Sequence, residues 1–347
     1  MTLQEASLNL TEQDYRQYPC LSYSNLQRYD IDGYDSIETM FEPISSPSLL
    51  FGSLVDCLLT QGEDVFNSTY MVIDIPIPPE SIINIVTQIK SEHTEKQFAL
   101  ITDADIISVA DIYGYQKNWK DSTRATKIRE LGSEYYNFMA VNSDKIFISK
   151  QDAEDAKKCV EAIKVDSIVG NYFKEDCFTN AEHLYQLQFA TIDKETGIQF
   201  KGMLDLVIVD HTNKKIYPCD LKTTKNIYTF EDSFYSYRYY LQAAIYTELL
   251  KNVIAEKCPE LLDYTIENYR FIAISRKNFK PAVFQWNQFL DLTQYTDKYG
   301  RQLSNWRDLL YKVHWALNNK EVQLPKQWQE SVSKDGFIPI KQYSKNV

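Results

Sequence analysis

Residues 198–222 decide how the rest of the chain is read: Ile198-Gln199-Phe200-Lys201-Gly202-Met203-Leu204-Asp205-Leu206-Val207-Ile208-Val209, then Asp210 and the turn His211-Thr212-Asn213-Lys214, then Lys215-Ile216-Tyr217-Pro218-Cys219-Asp220-Leu221-Lys222. Two apolar, β-branched runs on either side of a short polar turn predict an antiparallel hairpin. A tight hairpin centred on Thr212-Asn213 sets residues whose numbers share a constant sum opposite one another, so Asp205 faces Asp220. Opposed β-carbons lie about 4.5 to 5.5 Å apart, and two carboxylates at that separation repel unless a cation sits between them. A divalent metal ion is the simplest remedy. Lys222, two residues beyond Asp220, falls on the same face through the strand period of two, where an amine beside a metal can hold or polarise a water. The plainer alternative is an exposed hairpin whose charges are solvated. Met203, Leu204, Leu206 and Val207 around Asp205 speak against it, because charged residues inside apolar strands need a partner.

Upstream of the hairpin, Leu184, Leu187, Phe189 and Ile192 mark another strand after Glu182, with Asp193–Gly197 as its turn. Downstream, residues 235–250 predict a helix, Tyr269–Ser275 a strand and Phe289–Asn318 a long helical ending. Toward the N-terminus, Leu21–Tyr29 predicts a short helix. A loop with Pro43, Ser45, Ser46 and Pro47 precedes a helix over Leu49–Thr60, which buries Leu54, Val55 and Leu58 and leaves Gly52, Ser53 and Asp56 on a small-residue side. Tyr70–Ile77 predicts a strand, and residues 81–170 are helix-rich, with an amphipathic pattern over Asp152–Ile163. No linker, repeat or low-complexity tract divides the chain. The expected architecture is α/β: a central mixed sheet of four or five strands flanked by helices, in one domain over residues 1–347. Its helix-rich part is expected over 1–177, and its sheet core with C-terminal helices over 178–347.

Composition narrows the chemistry. The 37 Lys+Arg against 48 Asp+Glu give a formal net charge of -11 over 347 residues, the wrong sign for a general nucleic-acid-binding surface. Cys20, Cys57, Cys159, Cys177, Cys219 and Cys258 are scattered without a Cys-x-x-Cys pair, which excludes zinc-ribbon and iron-sulfur spacings and fits reduced thiols in a cytoplasm. No apolar run is long enough to span a membrane, no signal peptide opens the sequence, and no Walker-type phosphate loop occurs. His93, His183, His211 and His314 lack ligand spacing and read as surface or satisfied core residues. The densest basic stretch is Lys117, Lys120, Arg124, Lys127 and Arg129, readable either as a site for a 5′-phosphate or duplex backbone or as a charged helix face.

Gly202-Met203-Leu204-Asp205, Asp220-Leu221-Lys222-Thr223-Thr224 and Gln242-x-x-x-Tyr246 together resemble the PD-(D/E)XK nuclease superfamily, and its phage and RecE-like (exodeoxyribonuclease VIII-type) exonuclease branch in particular. Leu21-Ser22-Tyr23-Ser24-Asn25-Leu26 and Phe51-Gly52-Ser53-Leu54-Val55-Asp56 resemble that branch's opening serine motif and glycine-led helix. The resemblance implies a restriction-endonuclease-like core and Mg²⁺- or Mn²⁺-dependent hydrolysis of duplex DNA ends. Asp205, Asp220 and the Leu221 carbonyl would be metal ligands, and Lys222 the catalytic amine. Asp56 stands where many members carry a histidine ligand. Glu182 is a further acidic candidate, with Gln186 beside it. Arg238, Gln242 and Tyr246, spaced by four on one helical stripe, together with Thr223 and Thr224, are the expected DNA contacts. The resemblance also implies a cytoplasmic setting, that of the host for a phage-encoded protein. A single-strand annealing or single-stranded DNA-binding protein is the implied partner, and a homo-oligomeric ring is left open. An endonuclease and a non-catalytic DNA-binding protein with the same fold are the alternatives.

Overall fold

A computed structural model describes all residues except 43, 45, 95, 142–144, 175–179 and 321–347. Cys177, Pro43 and Ser45 thus lie outside the described residues, as does the expected boundary at 177. The strands in chain order are β1 (Leu21–Ser22), β2 (Tyr70–Ile73), β3 (Ile146–Ser149), β4 (Ala181–Ile192), β5 (Gln199–Asp210), β6 (Lys215–Thr224), β7 (Thr265–Ile266), β8 (Tyr269–Ser275) and β9 (Pro281–Trp286).

The chain divides into two compact units, where the sequence predicts one. Residues 1–44 and 163–347 form the first; Ser45–Ala162 is inserted into it as the second. The first unit is built on a mixed sheet in the order β1-β5-β6-β8-β9, with β4 also paired to β5 and β7 to β6. That is seven strands. The two additional to expectation among the short ones, β1 and β7, have two residues each and carry no period that a sequence can show. The β5–β6 hairpin keeps the constant-sum register, from Asp210↔Lys215 to Leu206↔Cys219. β6 and β8 run parallel, joined by the helix Tyr239–Lys257, whose Leu241, Ala243, Ile245, Leu249, Leu250 and Val253 are buried in the core of this unit. The expected ending over Phe289–Asn318 is instead a 3-10 turn (Leu292–Gln294) followed by a helix limited to Trp306–Leu317 and capped by the Asn305 side chain.

In the second unit, β2 and β3 form a parallel pair, and the helices Glu80–Glu92, Asp103–Ile112 and Asp121–Val141 enclose a separate core that includes Ile82, Ile85, Val86, Ile106 and Ile128. The basic stretch of this unit is largely committed internally. Arg124 is buried and pairs with Asp111 and Asp121, Arg129 pairs with Asp103, and Lys127 with Glu130. These guanidinium groups hold helices together, so the charged-helix reading applies to them. No helix among the described residues is long and apolar enough to cross a membrane.

Candidate active site

Asp205 occupies a gap in the sheet. Pairing of β4 with β5 passes from Tyr185↔Leu206 to Leu187↔Leu204, and pairing of β5 with β6 ends at Leu206↔Cys219. Opposite the gap, Gln186 has φ +52°, a left-handed backbone that non-glycine residues seldom adopt and that concentrates at functional sites. The Asp205 carboxylate turns to β6 and accepts the Leu221 N–H through Oδ2 at 2.8 Å.

Asp220 is 1% exposed, and two groups hold it there. Gln242 Nε2 donates to Oδ1 at 2.6 Å, and the Lys222 ammonium lies 2.5 Å from Oδ2. Burial works against the charge on Lys222, but Asp220, then Tyr239 and Asp205, outweigh it and hold the ammonium above the ordinary lysine range. Nζ also lies 4.7 Å from the centre of the Tyr239 ring, so the amine is gripped between a carboxylate and an aromatic face. The repulsion expected between the two carboxylates is thus met by the chain's own lysine.

The helix Tyr239–Lys257 sets Gln242 and Tyr246 one turn apart. Gln242 reaches Asp220, and the Tyr246 ring rests on β5 at Gly202, where an added Cβ would come within 2.6 Å of Tyr246 Cε1 and 2.5 Å of Leu249 Cδ1. This contact explains the glycine of Gly202-Met203-Leu204-Asp205. Gly202→Ala is expected to cost about 1 to 3 kcal/mol through overpacking, read by denaturant unfolding. Wild-type stability in that variant would show that the helix does not bear on the strand in this way.

Tyrosines surround the pair. Burial first, and the charges of Asp220 and Asp205 among its neighbours, push the Tyr246 and Tyr269 hydroxyls well above the ordinary range, and Tyr23 is raised by burial, its tyrosine neighbours and Asp220. Tyr23, Tyr239 and Tyr269 are site residues that the sequence reading passed over; Tyr23 stood in the quoted serine motif, whereas nothing in the spacing of Tyr269 or Tyr239 singled them out. In that motif Ser22 and Asn25 cap the helix Tyr23–Asp32, a structural task.

Other candidates fall elsewhere. Glu182 pairs in register with Val209, four residues along β5 from Asp205 and about 13 Å away at 3.3 Å per residue. It bonds His211 Nε2 at 2.9 Å, while Tyr264 holds Nδ1, so Glu182 supports the hairpin turn and is too distant to share an ion with Asp205. Arg238 does not continue the helical stripe. It is the N-cap of the helix, in a left-handed conformation with φ +57°, and its guanidinium pairs with Asp30 at 2.5 Å. Thr223 and Thr224 extend β6 against Ile274 and Ser275 of β8. Asp56 belongs to the helix Pro47–Thr60 of the second unit.

Asp205 and Asp220 offer carboxylate oxygens, the donors that suit a hard divalent cation. Asp220 Oδ2 is buried and compensated by the Lys222 ammonium, whereas the buried Tyr269 hydroxyl has no hydrogen-bond partner among the described residues. Unsatisfied oxygens in an apolar core are costly unless a ligand meets them. Groups of three or more acidic, histidine or cysteine side chains suited to a metal do not occur among the described residues, so an ion here would complete its shell with backbone oxygen and water. No curated protein matches the sequence. The paired strands with Asp205, Asp-x-Lys at 220–222 and a glutamine reaching Asp220 are what a nuclease-type core requires. With a family model matching residues 33–285, most of its length and the whole of this constellation, the chain belongs to the PDDEXK-like domain of unknown function (DUF3799), in a superfamily that generally uses divalent metal ions.

Proposed function

We propose that the protein is a metal-dependent exonuclease that hydrolyses phosphodiester bonds from duplex DNA ends, leaving a single-stranded tail for phage recombination or DNA processing. The observation that carries the nuclease reading is the buried Asp220 held between Gln242 and Lys222, with Asp205 locked onto the next backbone amide. Asp205, Asp220 and the Leu221 carbonyl would hold one or two Mg²⁺ or Mn²⁺ ions. Bound there, an ion supplies a Lewis acid for the scissile phosphate and lowers the pKa of water. Lys222 positions the attacking water and offsets charge that builds on the phosphate. Gln242 fixes the Asp220 carboxylate, and Tyr239 limits where the lysine can point. Hydrolysis then joins a water oxygen to phosphorus and releases the ester oxygen of the neighbouring nucleotide.

End dependence rests on the resemblance of the serine motif and of Gly52–Asp56 to the RecE-like branch. On the same reading the product strand passes to an annealing or single-strand-binding protein in the cytoplasm. The test is incubation with linear and covalently closed circular duplex, in Mg²⁺ and in chelator. Linear DNA should be degraded in Mg²⁺ alone while circles persist. Rapid linearisation of circles would make the enzyme an endonuclease, and undiminished cleavage in chelator would remove the metal from the reaction.

A further inference from the structure

The end of β6 beyond the catalytic lysine carries a cationic, aromatic surface that nothing above assigns. Residues 221–230 and 275–281 contain Lys222, Lys225, Arg276, Lys277 and Lys280, in a chain of net charge -11, and of the neighbouring carboxylates Asp232 is paired with Lys298. The fold brings the two segments together. Thr224 pairs with Ser275 across β6 and β8, Arg276 N donates to Thr224 O at 3.0 Å, and Ser275 Oγ donates to Lys225 O at 3.2 Å. The turn into β9 is closed by Ser275 N donating to Lys280 O at 3.1 Å, so Lys225, Lys277 and Lys280, all exposed, are fixed at one edge of the sheet. Lys225 lies three residues past Lys222, about 10 Å along an extended strand.

Tyr228 projects from the same edge. Its 3-10 turn, Ile227–Thr229, is anchored by the buried Ile227 and capped by the Asn226 side chain on Tyr228 N at 3.1 Å, yet the Tyr228 side chain stays 74% exposed, the most exposed aromatic ring among the described residues. Lys280 Nζ donates to the hydroxyl at 3.2 Å and lies 5.9 Å from the ring centre, which orients the ring without covering it. An isolated surface tyrosine means little. An oriented, uncovered ring beside Lys225, Lys277 and Lys280, six residues along the chain from Lys222, combines the two elements that grip unpaired nucleic acid: charge for phosphates and a face for a base.

We propose that Lys225, Lys277, Lys280 and Tyr228 form a platform for single-stranded DNA entering or leaving the active site, with the lysines on successive phosphates and Tyr228 stacked on a base. The proposal rests on the nuclease reading for its substrate, and its test is independent of turnover. Fluorescence anisotropy is measured in chelator with a labelled twenty-nucleotide oligothymidylate, with an abasic oligomer of the same length, and with a blunt duplex. The triple variant Lys225→Gln, Lys277→Gln, Lys280→Gln should bind the oligothymidylate about a hundredfold more weakly at 0.1 M salt and lower the salt slope by about 2, the loss of three phosphate contacts. Tyr228→Ala should weaken oligothymidylate binding about tenfold and leave the abasic oligomer unchanged. Both variants should melt like wild type, since the replaced side chains are exposed. Unchanged affinity in the triple variant, an equal loss on the abasic oligomer for Tyr228→Ala, a loss confined to duplex, or no binding by wild type would each overturn the platform. Wild-type strand binding with no cleavage of linear DNA would leave the platform standing and remove the nuclease reading instead.

Discussion

Asp220→Ala should abolish cleavage of linear duplex, with single-turnover rates at least a hundredfold below wild type, and should remove the heat of Mn²⁺ binding in a calorimetric titration. The expectation follows from its position. Asp220 is the carboxylate on which Gln242 and Lys222 converge. On the proposed reading solvent cannot stand in for it as a ligand, because the carboxylate is 1% exposed. Losing one preorganised electrostatic group commonly costs a factor of a hundred to a thousand. Alanine also leaves the Lys222 ammonium and the Gln242 amide without their partner, a one-sided break that costs about 3 to 5 kcal/mol, so cleavage and Mn²⁺ binding are to be read below the melting temperature of the variant. Mn²⁺ binding equal to wild type would place the metal centre elsewhere.

Lys222→Met should fail in a different manner. Methionine keeps the stem and deletes the ammonium that neutralises Asp220, leaving a buried carboxylate with Gln242 as its remaining donor. Breaking such a pair from one side costs about 3 to 5 kcal/mol. The variant should therefore melt well below wild type in chelator. Divalent cations should then stabilise it more than they stabilise wild type, since no ammonium competes for Oδ2, while cleavage stays about a hundredfold or more below wild type. A metal-free melting temperature equal to wild type would show that Lys222 does not balance Asp220. The repulsion between bare carboxylates expected from the sequence is met within the chain, since Lys222 already lies against Asp220 and Asp205 Oδ2 accepts the Leu221 amide.

The hairpin was legible because its register is arithmetic. A turn at 211–214 fixes every pair outward from it, and the observed pairs follow the same sum. The spacing of four set Gln242 and Tyr246 on one helix face, but both are buried, Gln242 on Asp220 and Tyr246 on Gly202, where the sequence led to an expectation of DNA contacts. The failures share another cause. Glu182 was placed by its nearness in sequence to the core, but β4 is twelve residues long and carries its first residues to the far end of the sheet. Arg238 has the right spacing and the wrong backbone, since a left-handed N-cap ends the helical period before it reaches 238. For Arg124 and Arg129, by contrast, the charged-helix alternative that the sequence offered holds, and what the sequence does not show is which carboxylates tertiary packing brings to them. The inserted unit was invisible because its boundary at Ala162 falls within the continuous helix Lys150–Val165, where composition does not change.

That insertion dictates an order of assembly during synthesis. Leu21 of β1 pairs with Phe200 of β5, and Leu3, Leu21 and Leu26 belong to the same apolar core as β5 and β6. The ribosome must therefore add about 180 residues after Leu21, taking about 10 to 35 s at roughly 5 to 20 residues per second, before the first strand meets its neighbour. The second unit is contiguous and encloses its own core, so its helices can close on local contacts during that interval. A nascent chain stalled near residue 200, with the whole second unit outside the ribosome, would then display a protease-resistant middle and an N-terminal segment still open to cleavage. The candidate site itself, which needs β6 and the helix Tyr239–Lys257, comes into being only after both have emerged, so on the proposed reading products truncated before Tyr239 carry no cutting activity.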